Sequence, residues 1–188
     1  SLEHKIAALV GEPTVRVEPV SGGDINSAFA VTLESGRRLF AKTHRSALPQ
    51  VFVREAEGLA WLAEAKALKV PDVVAASDAD ERGPACLLLE LVATGSPGPR
   101  HDESLGRGLA ALHRYGAPAF GHVAPNYLAT LPQDNTQTDT WPAFYAQRRL
   151  APLTDRAVAR GVLPSSIAGR LRRLLEGIDA FTGEPEPP

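Results

Sequence analysis

Methionine is missing altogether, and cysteine occurs once, as Cys86. A single thiol cannot close an internal disulfide, so no disulfide framework holds this fold, and a reducing, cytoplasmic setting is the expectation. No apolar run approaches the roughly eighteen residues that a membrane helix needs. A basic excess is missing too. Lys and Arg number 20 against 22 Asp and Glu, for a net charge of −2, which argues against a sequence-independent nucleic-acid binder. Lysine is scarce, with Lys5, Lys42, Lys66 and Lys69 set against sixteen arginines. Any Lys in an unusual position therefore stands out. The first ten residues are short and amphipathic, unlike a signal peptide. With no Met at the start, the native beginning is expected to lie outside these residues.

What is present is ordinary globular composition. The chain has 188 residues, of which 44% are hydrophobic and 22% charged, enough for one domain or two small lobes. There is no internal repeat and no low-complexity stretch.

Hydrophobic spacing predicts a short helix at 3–10 and a strand around Val15 and Val17, which alternate with Arg16 and Glu18. Strands at 28–33 and 39–43 are joined by the turn Glu34-Ser35-Gly36. A helix follows at 50–66, with Phe52, Ala56 and Leu59 on its apolar face and Val70-Pro71 closing it. Residues 73–76 and the apolar run 86–92 read as further strands. Residues 93–100, rich in Gly and Pro, read as a linker. Beyond it the pattern turns helical: 102–114 with Asp102 as N-cap, then 141–150, then 166–181. Residues 115–140 read mostly as loop. The expected fold class is α+β. An antiparallel sheet lobe with one major helix spans 1–92, a hinge spans 93–100, and the start of a helical lobe spans 101–188. A cleft between two lobes is a common place for a ligand.

The turn Gly22-Gly23-Asp24-Ile25-Asn26-Ser27 lies between two predicted strands. Its glycines would let backbone N–H groups approach an anion, although the same residues make an ordinary hairpin turn. It is neither a Walker loop nor a Rossmann fingerprint. Lys42 closes the third strand in an apolar setting. Glu55 falls between Phe52 and Leu59 on the helix face that should be buried, where a carboxylate needs a partner. Lys42 is the nearest cation by topology. A Gly-rich turn, a strand Lys and a helix Glu, in that order, is the arrangement of kinase-type phosphotransferases, so nucleotide binding is expected. Leu89, Glu90 and Val92 then lead into the linker, where backbone groups could meet an adenine edge. Cys86 reads as packing. The five His (4, 44, 101, 113 and 122) show no metal-ligand spacing, and no G-x-S-x-G elbow occurs.

Together these residues resemble the fructosamine (ketosamine) kinases, relatives of the aminoglycoside phosphotransferases within the protein-kinase-like fold. The resemblance runs through Ser21–Asn26, Lys42, Phe52–Glu55 and Leu89-Glu90. It continues with Leu105-Gly106, Leu112-His113 and Phe120-Gly121. Its most specific part is Asn126-Tyr127, Leu131–Asn135, Trp141, Phe144-Tyr145 and Arg148–Leu153. It implies ATP and Mg²⁺ as cofactors and phosphoryl transfer to a sugar hydroxyl of a glycated amine, with no nucleic-acid or membrane partner. It also implies a site in which Gly22–Ser27 cover the phosphates, Lys42 binds them and Glu55 holds Lys42. Phe40 would then lie against adenine, and the backbones of Glu90 and Val92 would meet its edge. The family's His-Gly-Asp segment does not occur in these 188 residues. The catalytic and metal-binding Asp are therefore expected beyond Pro188, and the chain alone is expected to be inactive. An aminoglycoside or other small-alcohol kinase and a non-catalytic nucleotide-binding pseudokinase are the alternatives.

Overall fold

The computed structural model describes residues 1–21 and 26–182. By its internal contacts the chain divides into two compact units, 1–113 and 114 onward.

The first unit is built on a five-stranded antiparallel sheet in the order β1-β2-β3-β5-β4. Its strands are β1 (Thr14–Val20), β2 (Ser27–Leu33), β3 (Arg38–His44), β4 (Val73–Ser77) and β5 (Ala85–Glu90). Period-two alternation sends successive side chains of each strand to opposite faces. On one face Val31, Leu33, Leu39, Ala41, Cys86 and Leu88 are buried against Ile6 of α1 (Leu2–Val10). On the other, Ala85, Leu87 and Leu89 are buried against Phe52 and Ala56 of α2 (Val51–Glu64). Burying a side chain such as Phe52 contributes about 2 kcal/mol. The β2–β3 turn uses Gly36 at φ 83°, a left-handed conformation that favours glycine.

α1 carries an unexpected charge into the core. Lys5 is 1% exposed. It is satisfied by the Asp80 carboxylate at 2.8 Å and the Asp78 carbonyl at 2.8 Å. Cys86 is fully buried, and burial pushes its thiol pKa up. The unit also contains α3 (His101–His113). Asp102 lies inside its first turn rather than capping it, because the helix already begins at His101. An acidic side chain there still complements the helix dipole.

The second unit contains structure where the sequence reads as loop. β6 (Asn126–Leu128) and β7 (Leu131–Gln133) form a small hairpin. The predicted helix at 141–150 is longer and runs in three segments of two kinds: α4 (Trp141–Phe144), a π-helical stretch Tyr145–Leu150, then α5 (Ala151–Ala159). Thr140 caps its start with its side chain, and Pro142 occupies the first turn. The last predicted helix is two, α6 (Ser165–Glu176) and α7 (Asp179–Thr182), interrupted at Gly177. Among the described residues no helix is long and apolar enough to cross a membrane.

Candidate functional site

β3 makes the centre of the first unit's site. Its odd positions Leu39, Ala41 and Thr43 enter the α1 side, which places Phe40 and Lys42 on the α2 side. Glu55 projects from α2 and meets Lys42 squarely. Lys42 Nζ donates to both Glu55 oxygens, each at 2.8 Å. The side chains are 26% and 35% exposed, so the pair is half out of water and open to a further partner. The Phe52 ring lies 5.9 Å from the ammonium.

The neighbours of this pair follow from register. Ala28 and Leu87 flank Lys42, while Ala30 and Leu89 flank Phe40. The two alanines keep that part of the sheet face low, a feature that sequence reading passed over because Ala carries no chemical signal. Leu89 is buried and Phe40 half-buried in the α2-side cluster.

Glu90 ends β5 in a fixed position. Its N–H donates to the Asp72 carbonyl at 2.8 Å. Its carboxylate accepts from Lys69 Nζ at 2.5 Å and from the Asp72 N–H at 3.3 Å. The Lys69 contact, then the Asp72 N–H, hold the Glu90 carboxyl below its ordinary pKa, and Glu90 raises that of Lys69 in turn. Lys69 and Asp72 went unread in the sequence because only the β4–β5 pairing brings them beside Glu90. Val92 is exposed just past the strand. Asn26 is half-buried, and Ser27 is exposed at the start of β2 opposite Thr43. Gly22, Gly23, Asp24 and Ile25 lie outside the described residues.

The second unit gathers the most specific sequence block around Asn135, which is 4% exposed. Its side-chain amide donates to the Ala124 carbonyl at 2.9 Å and to Asn126 Oδ1 at 3.1 Å. Its own Oδ1 accepts from Arg149 at 2.5 Å. Arg149 also donates to the Asp134 carbonyl at 2.8 Å and stacks 4.5 Å from the Phe144 ring centroid. Burial lowers the Arg149 pKa, offset in part by Asp134. The Thr136 hydroxyl and N–H hold the Asp134 carboxyl below its usual value, helped by Arg148. Trp141 stacks on Tyr145 at 5.3 Å and lies 6.0 Å from Phe120, so these aromatics pack on one another. Among the described residues no cluster of three or more His, Cys, Asp or Glu could hold a metal ion.

The fructosamine kinase family profile matches residues 2–187. The chain belongs to the fructosamine kinase family. This fructosamine kinase family member is 35% identical over 135 residues to a protein named probable ketoamine kinase from Enterococcus faecium, covering 72% of this chain and 46% of that one. It is 33% identical over 138 residues to a chloroplastic protein-ribulosamine 3-kinase of Arabidopsis thaliana, covering 72% and 41%. The crystal structure of a candidate fructosamine-3-kinase from Thermobifida fusca superposes with a TM-score of 0.87 at 34% identity, over 100% of this chain and 64% of that one. A second such structure, from Haemophilus somnus, has a TM-score of 0.80 at 19% identity and supports the fold alone. The fold is thus the kinase-like one of its family. The chain spans about half the length of the curated relatives it matches, 46% and 41% for the two named.

Proposed function

We propose that the whole protein is an ATP-dependent kinase that phosphorylates a sugar hydroxyl of ketosamines, the adducts of sugars with amines or protein lysines. The observation that carries this reading is the Lys42–Glu55 pair, bonded at both carboxylate oxygens on the sheet face that also bears Phe40, in a chain of this family. Residues 1–92 would form the nucleotide-binding lobe, 93–100 its connection, and 101–188 part of the helical lobe.

The residues present fit a nucleotide triphosphate. Lys42 is half-buried and held by one carboxylate, so its charge is fixed in place yet still accessible. In this role Lys42 binds phosphate oxygens, and Glu55 prevents it from swinging away. Phe40, beside the small Ala30, offers a flat apolar surface to a base. The Glu90 N–H is committed to Asp72, so only the Glu90 carbonyl, with the backbone of Val92, could read the base edge. By the family resemblance, residues 22–27 would cover the phosphates. Bound ATP with Mg²⁺ would supply the phosphoryl group. Transfer of this kind rests on positioning and on neutralising charge, and the Lys42–Glu55 pair does the first and part of the second. The group that accepts the hydroxyl proton is assigned to none of these 188 residues.

The test is an acceptor panel with the whole protein, ATP and Mg²⁺. ADP formation should depend on a fructosamine or ribulosamine and be much slower with kanamycin-like aminoglycosides. A preference for aminoglycosides would move the protein to the neighbouring subfamily. Nucleotide binding without turnover of any acceptor would make it a pseudokinase.

A further inference from the structure

The second unit holds a cleft of about 240 Å³ between the β6–β7 hairpin and the helical run after Trp141. Its volume lies just below the range of about 300–1,000 Å³ typical of pockets for drug-sized ligands. Among the described residues its charge is lopsided, since Arg148, Arg149 and Arg156 line it with a single carboxylate, Asp134. Arg148 is paired with Asp134 at 3.1 Å, and Arg149 is taken up by Asn135 and the Asp134 carbonyl. The Arg156 guanidinium has no ion pair or hydrogen bond among the described residues. Among the described residues the Nε of Arg148 is buried without an acceptor, and buried donors are rarely left so. The rest of the lining is mainly apolar, from Leu128, Leu131, Pro132, Pro152 and Leu153.

Two backbone distortions border this same cleft. In the hairpin turn between Leu128 and Leu131, Ala129 has φ 54°, a region that non-glycine residues seldom adopt. On the opposite wall, Arg148 and Arg149 belong to the π-helical stretch. Consecutive α-helical side chains diverge by about 100°. The wider π-turn narrows that angle, and both arginines line the cleft. The Ala129 conformation is what a two-residue hairpin turn requires, whereas a π-helical stretch is frequent at functional sites.

We propose that this cleft binds a small organic carboxylate with an apolar body, its anionic end on Arg156 and Arg148 and its hydrocarbon part against Leu128, Leu131 and Leu153. A planar carboxylate suits the guanidinium fork. A bare inorganic anion would leave the apolar wall in water.

Calorimetric titration with benzoate, in the absence of ATP and of any sugar amine, tests this independently of the kinase reading. One saturable site is expected, with amide NMR shifts confined to residues 128–156. Benzyl alcohol, the neutral counterpart, should bind at least about tenfold more weakly, and Arg156→Leu should weaken benzoate binding about tenfold. Among the described residues Arg156 is exposed and without a partner, so that variant should keep its melting temperature. Leu153→Asp, also at an exposed position, should abolish binding with the fold retained. Four results would each overturn the proposal: no saturable binding, equal binding of benzyl alcohol, unchanged affinity in Arg156→Leu, or tighter binding of inorganic phosphate than of benzoate.

Discussion

Lys42 and Glu55 meet at two points rather than one, with both carboxylate oxygens 2.8 Å from the same ammonium. A single contact would leave the Lys chain free to turn. Two contacts from a helix that is itself anchored by Phe52 and Ala56 fix the charge relative to the sheet.

The first prediction separates activity from stability at this pair. Lys42→Ala in the whole protein should reduce ATP turnover by about a hundredfold or more. Glu55→Gln, which keeps one acceptor, should reduce it by about tenfold. Because both side chains are partly exposed, either variant should change unfolding free energy by only about 1 kcal/mol or less. Steady-state kinetics together with urea unfolding would check this, and a Lys42→Ala protein with wild-type turnover would refute the assignment.

A second prediction concerns the Asn135 hub. Gly121 has φ 127°, and a Cβ there would sit 2.6 Å from the Asn135 carbonyl oxygen and 2.9 Å from Gln137 Cα. Both neighbours are backbone and cannot swing aside. Gly121→Ala should therefore destabilise the protein by about 2 kcal/mol or more. Asn135→Ala, which strips the Ala124 carbonyl and Arg149 of a partner, should cost a similar amount, about 2 kcal/mol. Chemical denaturation of both variants is the measurement, and a Gly121→Ala protein as stable as wild type would contradict the tight approach.

The third prediction concerns acid. Lys5, and then Arg82, hold the Asp80 carboxyl far below the usual carboxylate range. A depressed folded value contributes stability that is complete above the unfolded value, near 3.9, and fades as pH falls from there towards the folded one. The gap in melting temperature between wild type and Asp80→Asn should stay constant from about pH 7 to about pH 5, then narrow on further acidification. A gap that widened in acid would show that the Lys5–Asp80 contact does not stabilise the fold.

The sheet and α2 were legible because alternation and the 3.6-residue repeat both report burial, and burial governs Phe52, Ala56, Leu87 and Leu89. Glu55 was legible for the same reason, as a charge on an apolar face. Lys5 was not: its burial depends on Asp78 and Asp80, which only the fold brings near. The π-turn was hidden because Trp141, Phe144 and Tyr145 satisfy ordinary helical spacing. The three-residue strands β6 and β7 are too short to show a period. Gly177 interrupts the last helix, yet Ile178 kept the apolar rhythm that suggested continuity. The glycine turn at 22–25, central to the sequence argument, lies outside the described residues.

The strand order carries a consequence for assembly. β1, β2 and β3 pair as sequence neighbours, and so do β4 and β5, but Thr43 must find Cys86 for β3 to join β5. That seam closes a loop containing all of α2 and carries most of the entropic cost of completing the sheet. It is also the event that sets Leu89 beside Phe40 and Leu87 beside Lys42. The same pairing thus serves the core and the sheet face that carries Phe40 and Lys42. A partly folded chain with β3 and β5 still apart would lack both the joined sheet and the placement of Leu87 beside Lys42.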